Sequence, residues 1–166
     1  MWNKHFLSIH VNEILKSKEN IIYSKFLVFD ETRKTKSLNY KKKLKSGLIT
    51  QNLLDKYNIG ILAVMLKRSI FKKYKFDKRY NIIGDFDFFI KLSMKYNFLS
   101  LNSSLATYRF HRLGFTNQNH KLYYNELQRW LAENEKKLKK NNYNLLKLKL
   151  YISKIKFKNY LSRILK

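Results

Sequence analysis

Helical and extended segments alternate along this chain, and the alternation limits the folds open to it. The apolar residues Leu7, Val11 and Ile14 recur at helical spacing. Residues 21–29 follow them and are β-branched and aromatic enough to form a strand. Residues 59–66 are a continuous apolar run, which fits a buried strand or a short buried helix. The pattern therefore predicts an α/β fold of packed helices and strands.

The segments between and after these elements continue the alternation. Further helices are predicted at residues 48–56, 67–74 and 88–96. Two short strands are predicted at residues 98–101 and 105–111, around a turn at 102–104. Residues 30–45 are polar and basic, which predicts a solvated excursion.

Residues 119–166 are predicted to be a basic helical extension of an α/β domain that covers residues 1–118. The first helix of the extension carries apolar side chains on one face, at Tyr123, Leu127, Trp130 and Leu131. Glu133 and Lys137, and likewise Glu135 and Lys139, have the spacing of helical ion pairs. A break is predicted at residues 141–142.

The tail, residues 145–166, contains seven basic residues and no acidic one. One face of a helix there would carry Phe157, Leu161, Ile164 and Leu165. Such a helix can lie on an anionic membrane surface. It can equally pack on its own domain and leave its lysines in water.

Composition narrows the classes of function without choosing one. Thirty-six Lys and Arg against eleven Asp and Glu give a net charge of +25, which attracts nucleic acid, anionic lipid or phosphorylated substrates. A bias toward lysine in the composition explains the excess equally well. The absence of cysteine excludes disulfides and thiolate metal sites, and no apolar run approaches the roughly 20 residues of a membrane-spanning helix. We expect a cytoplasmic protein, with peripheral contact at the inner face of the membrane as a further expectation.

Two of the eleven acidic residues, Asp85 and Asp87, lie two positions apart inside an apolar run. An Asp at the start of a helix can accept free backbone N–H groups and interact with the positive end of the helix dipole. A carboxylate beside apolar rings has its pKa raised by desolvation, which suits a general base. One Asp of the pair can therefore cap the helix while the other acts in chemistry.

Several motifs occur in a fixed order around this pair. They are Lys67-Arg68-Ser69 after an apolar run, Phe76-Asp77, the acidic segment at residues 82–93, and Leu105-Ala106-Thr107-Tyr108-Arg109-Phe110-His111. In this order they resemble the C-terminal half of family-two inverting glycosyltransferases of the GT-A fold, over about residues 2–130. The resemblance implies a partial GT-A-like layered α/β domain.

The resemblance also implies roles for five residues. Asp85 falls on the catalytic base, which takes a proton from the acceptor hydroxyl, although Gly84 stands where many members have glutamate. Asp87 falls on an accompanying acidic position at the substrate. Tyr108, Arg109 and His111 match a Tyr-Arg-x-His element that binds substrate, with His111 near the donor diphosphate and its Mg²⁺ or Mn²⁺ ion. Imidazole can ligate such a cation, and arginine offers two donors to phosphate oxygens.

The family's donor-binding half, with its own Asp-x-Asp metal motif, is not found in this sequence. The one Asp-x-Asp present is Asp85-Phe86-Asp87, already assigned to the base. We therefore expect the acceptor-side part of an enzyme for surface polysaccharide in the cell envelope, with little activity unless a separate N-terminal half completes it. Its partners would be a nucleotide-sugar donor and a glycan or lipid-linked acceptor.

Two other classes of function stay open at this point. One is a basic module that binds nucleic acid or an anionic membrane through residues 41–45 and the tail. Nucleic acid is the weaker option, because no recognisable nucleic-acid motif accompanies the basic residues. The other is a non-catalytic remnant of a glycosyltransferase.

Overall fold

The computed structural model describes residues 1–164, and the side chains of residues 1–161. These residues form a mixed α/β fold, as predicted, with one four-stranded sheet and seven helices. The strands are β1 (Ile21–Asp30), β2 (Thr35–Leu38), β3 (Val64–Leu66) and β4 (Phe98–Phe110). The helices are α1 (Phe6–Ser17), α2 (Thr50–Asp55), α3 (Arg68–Lys73), α4 (Gly84–Ser93), α5 (Phe115–Gln118), α6 (His120–Lys140) and α7 (Leu146–Ile164).

Strand β1 is the centre of the sheet, because each of the other three strands pairs with it. Parallel β4 follows β1 along its whole length, from Ile21 opposite Phe98 to Asp30 opposite Phe110. Antiparallel β3 pairs with the first residues of β1, and antiparallel β2 pairs with the last ones. Since β4 fills one edge of β1, the two short strands share the other edge.

Three local predictions are corrected by the sheet. The turn predicted at residues 102–104 is wrong, because β4 continues through it with shifts of register opposite Lys25. The excursion at residues 30–45 contains β2, whose four residues are exposed but pair with β1. Residues 59–66 are neither one strand nor one helix, since a 3₁₀ turn at Ile61–Ala63 leads into β3.

The main apolar core lies between the sheet and the helices α2, α4, α6 and α7. Side chains from the extension, including Leu127, Trp130 and Leu148, are buried in the same cluster as Phe89 and Phe98. The predicted inner face of α6 is confirmed. The extension therefore completes the core of the α/β part.

Helix α1 forms as predicted, but only one of the three apolar residues that indicated it is buried. Ile14 is buried, together with Phe6 and His10. Leu7 and Val11 face solvent, with exposed fractions of 53% and 40%. Helical spacing alone does not fix which stripe of a short helix is buried, and the sheet selected the stripe that begins at Phe6.

The C-terminal helices agree with the sequence in most respects. Glu135 pairs with Lys139 at 2.7 Å, whereas Glu133 contacts Arg79 and Tyr80 rather than Lys137. The predicted break contains Asn142 in the left-handed region, with φ of 60°. The inner face of α7 packs on its own domain. Ile164 and Leu165, assigned above to one helix face, lie outside the residues whose side chains are described.

Within residues 1–164, none of the helices combines the length and the apolar character that crossing a bilayer requires.

Candidate functional site

A cavity of about 650 Å³ lies between α2, the start of α4, α6 and α7. Its wall is mainly apolar, with Leu53, Phe86 and Leu127 among the lining residues. The polar lining residues include three tyrosines, two aspartates and a lysine: Tyr57, Tyr123, Tyr151, Asp55, Asp85 and Lys147. An apolar cavity with a few polar groups is the usual form of a small-molecule site.

Asp85 lines this cavity from the first turn of α4. Burial raises the pKa of its carboxyl, while the backbone N–H of Phe86 and the neighbouring Tyr57 hydroxyl lower it by less. The Phe86 N–H donates to Oδ1 at 2.7 Å. Asp85 is thus a carboxylate whose charged form is destabilised and which faces an open space.

Glu126 of α6 explains why Asp85 is not needed to bind the backbone that leads into α4. The Glu126 carboxylate is 3% exposed and accepts N–H groups from three consecutive residues, Asn81, Ile82 and Ile83, at 2.8, 2.9 and 3.1 Å. Neither Asp stands at the N-cap, Ile83, but Asp85 accepts the free first-turn N–H of Phe86, so the prediction that one Asp of the pair caps the helix is confirmed for Asp85 and not for the backbone that precedes α4. A glutamate distant in sequence binds that backbone.

The Asp87 carboxylate is buried, and its partners belong to the protein itself. Its side chain is 1% exposed, Oδ1 accepts the Trp130 Nε1 hydrogen at 2.9 Å, and Oδ2 pairs with Lys91 Nζ at 2.7 Å. Both oxygens are used inside the protein, and Asp87 does not line the cavity. Asp87 therefore joins α4 to α6, which gives no support to its predicted contact with substrate.

Three tyrosines bring phenolic hydroxyls to the cavity. The Tyr57 hydroxyl is buried and makes no hydrogen bond of good geometry with the described residues, although it lies close enough to interact with Asp85. Burial raises the pKa of Tyr57 well above its usual range. The hydroxyls of Tyr123 and Tyr151 share a hydrogen bond at 2.9 Å. The Tyr57 hydroxyl therefore acts on the Asp85 carboxyl, whose pKa it lowers, from a buried position.

Sequence reasoning missed these tyrosines. Tyr57 follows α2 without any motif, and Tyr123 was assigned only to the apolar face of α6. The one available signal was the aromatic content of 16%, which does not choose among twelve tyrosines.

The Tyr-Arg-x-His element lies outside the cavity. The Arg109 guanidinium pairs with Glu31 at 2.6 Å, and Arg109 holds the pKa of the Glu31 carboxyl below its usual value. Tyr108 is 45% exposed, and His111 follows the end of β4. None of the three residues lines the cavity of Asp85. The structure thus does not bring the two predicted parts of the site into one cavity.

Comparisons of the sequence with protein-family models and with curated proteins found no match. The likeness to family-two glycosyltransferases therefore depends on the ordered motifs.

The raised pKa of Asp85 gives a pH-dependent prediction. Its folded pKa exceeds the ordinary value of 3.8, so the folded protein binds this proton more tightly than the unfolded chain does. The contribution of Asp85 to stability is then present below pH 3.8 and is lost as the pH rises through the folded pKa. Asp85→Asn, which resembles the protonated form, should raise the free energy of unfolding at pH 7 and change it little in acid. Urea unfolding at about pH 3.5 and pH 7 measures this difference.

Asp77→Asn is a control of opposite sign. The Arg79 guanidinium lowers the pKa of Asp77 to about 2, so this carboxylate stabilises the protein at neutral pH and loses its effect in acid. Asp77→Asn should therefore destabilise the protein at pH 7. An Asp85→Asn variant that is less stable than the wild type at pH 7 would contradict the account of Asp85.

Proposed function

We propose that this chain is the acceptor-side part of a nucleotide-sugar-dependent glycosyltransferase, with Asp85 as the general base. One observation supports the proposal. The Asp85 carboxyl lies at a cavity, its pKa is raised, and it has no ion-pair partner among the described residues. Eight of the eleven Asp and Glu residues lie within 4.0 Å of a cationic side chain in the part of the chain that the structure describes, and Asp85 is not among them. The ordered motifs around it give the reaction class.

The chemistry asked of Asp85 is a single proton transfer. The acceptor hydroxyl oxygen forms a bond to the anomeric carbon, and its proton passes to the Asp85 carboxylate. The bond from the anomeric carbon to the nucleoside diphosphate breaks, and the leaving group keeps the electron pair. A base whose pKa lies nearer to the working pH is more effective, which is what burial gives Asp85.

Tyr57 would orient the base, and the apolar wall would position the acceptor. The buried Tyr57 hydroxyl interacts with the Asp85 carboxyl and would direct its other oxygen to the acceptor hydroxyl. Phe86 and Leu127 offer apolar contact to the carbon face of a sugar ring. These contacts hold the hydroxyl near the base and exclude water, and both effects raise the rate of transfer.

The divalent cation implied by the resemblance has no fitting site here. The described residues contain no group of three or more His, Asp and Glu side chains that could hold a metal ion. His111 alone does not make such a site, and Mg²⁺ or Mn²⁺ stays a prediction. We propose that a donor-binding half outside residues 1–166 supplies both the metal ligands and the nucleotide site.

The test is sugar transfer by this chain together with a donor-binding half. A panel of nucleotide sugars is combined with saccharide or lipid-linked acceptors, and the nucleoside diphosphate that is released is measured. Asp85→Asn should lower the transfer rate by roughly 10²–10⁴-fold, the usual contribution of a general base. Asp30→Asn is the matched control. Asp30 is the last residue of β1, where Oδ1 accepts the N–H groups of Thr32 and Arg33 in the turn that follows, and asparagine keeps this oxygen.

Full activity in Asp85→Asn would exclude Asp85 as the base. Micromolar binding of a nucleotide sugar by this chain alone would contradict the assignment of the donor site to another half.

A further inference from the structure

Helix α7 has two apolar faces on opposite sides. The inner face packs into the core through Leu148 and Ile152, which are 5% and 6% exposed. The outer face carries Leu146, Leu150, Phe157 and Leu161. An ordinary surface helix has one apolar face, so the second face requires a separate explanation.

The four outer residues lie along one side of the helix, with Ser153 between Leu150 and Phe157. Their separations of four, seven and four residues place them on one side of an α-helix. Their exposed fractions are 61%, 52%, 63% and 40%, so they leave a large apolar area in contact with solvent. We refer to these four residues as the outer stripe.

Lysines flank the outer stripe on both sides. Helical spacing places Lys147, Lys154 and Lys158 along one side and Lys149 and Lys156 along the other. The helix contains no acidic residue. Two of these lysines have acidic partners on neighbouring helices, Lys147 with Asp55 and Lys149 with Glu135.

We propose that the outer stripe binds the surface of an anionic lipid membrane. A helix with an exposed apolar stripe between rows of lysine can bury the stripe among acyl chains while the lysines contact anionic headgroups. The net charge of +25 adds a long-range attraction to such a surface. The proposal does not depend on the role of Asp85.

The chemistry of the stripe favours lipid over two other partners. Nucleic acid would use the lysines, but aliphatic leucines such as Leu146 and Leu150 offer no stacking surface to bases. A second copy of this chain would bring two lysine-lined helices of equal charge together, which repel each other. An anionic bilayer satisfies the lysines and the leucines at once.

The stripe also lies beside the candidate site. Leu150 belongs to the stripe and lines the cavity of Asp85, as do the flanking residues Lys147 and Lys154. A membrane bound along the stripe would therefore lie next to this cavity.

The experiment is flotation of the wild-type protein with vesicles of phosphatidylcholine alone and with vesicles that contain phosphatidylglycerol. We expect binding to the anionic vesicles and little to the neutral ones. The double variant Phe157→Ser/Leu161→Ser should lower the partition coefficient by about 10-fold or more, because it removes two of the apolar contacts. Lys156→Gln/Lys158→Gln should lower it by roughly 5-fold for each lysine removed.

Leu7→Ser/Leu15→Ser on α1 is the matched control, since these leucines are also exposed, at 53% and 73%, but lie on another helix. It should bind anionic vesicles like the wild type, and circular dichroism should show that every variant is folded. The proposal fails if the wild type does not bind anionic vesicles, or if the two double serine variants lose binding equally. It also fails if Phe157→Ser/Leu161→Ser abolishes oligonucleotide binding or dimerisation while vesicle binding is unchanged.

Discussion

Glu126→Ala is expected to lower the free energy of unfolding by about 3–5 kcal/mol, because it removes a buried charged acceptor and leaves its donors unpaired. Three backbone N–H groups lose their acceptor together, at Asn81, Ile82 and Ile83. The site is 3% exposed, so water does not readily replace the carboxylate. The measurement is urea unfolding followed by circular dichroism.

Glu126→Gln separates the hydrogen bonds from the charge. Glutamine keeps one oxygen, which can accept from Ile82 and Ile83 as Oε2 does in the wild type. Its amide group cannot accept from Asn81, so an intermediate loss of stability is expected. Glu13→Ala is the control, since Glu13 is on the surface of α1 and its pair with Lys16, at 3.7 Å, is solvent-exposed. A Glu126→Ala variant as stable as this control would show that the three N–H groups find other acceptors.

Asp87→Ala is expected to cost about 2–4 kcal/mol of stability, since it leaves a buried donor without an acceptor and an amine without its counter-ion. The donor is Trp130 Nε1. The indole is 1% exposed and packs edge-on against Phe86, with 4.7 Å between the ring centroids. Lys91 is 43% exposed in its side chain and can regain water, so most of the loss should come from the indole. Urea unfolding, with Trp130 fluorescence as a second probe, measures the change.

Asp87→Asn distinguishes a structural role from a role at substrate. Asparagine keeps Oδ1 for the indole and loses only the pair with Lys91, so the expected loss is about 1 kcal/mol. If the only role of Asp87 were to contact substrate, neither the alanine nor the asparagine variant would change the free energy of unfolding. A larger loss in alanine than in asparagine is therefore the result that supports the structural assignment.

The sequence predicted those parts of the fold that depend on local chemistry. Apolar periodicity and β-branched residues predict the class of the fold, strand β1, and every helix except α5. The path of β4 through Asn102, Ser103 and Ser104 does not follow from them, because it depends on the pairing of β4 with β1 on both sides of a register shift: Leu101 pairs with Ser24 and Ser104 with Lys25, while Asn102 and Ser103 have no partner on β1. The Asn102 side chain also accepts the Leu44 N–H at 2.8 Å, a contact across 58 residues.

The candidate site was predictable in one residue. Asp85 was recognisable because a carboxylate in an apolar run is costly wherever it is buried. The sequence does not show that Asp87 has a different, structural role, because that role depends on where Trp130 packs. The roles of Glu126 and Tyr57 depend on the packing of α6 and α2, which no local pattern records.

The pairing of β1 has a consequence for the order in which the chain is made. The strand that fills one whole edge of β1 begins at Phe98, opposite Ile21, so a ribosome must synthesise residues 31–97 after β1 before this pairing can begin. Until then, only the short strands β2 and β3 can cover any part of β1, on its other edge. The nascent chain thus carries an apolar strand with one open edge until residues 98–110 are made, and open strand edges are sites of aggregation. In the finished protein β4 closes that edge.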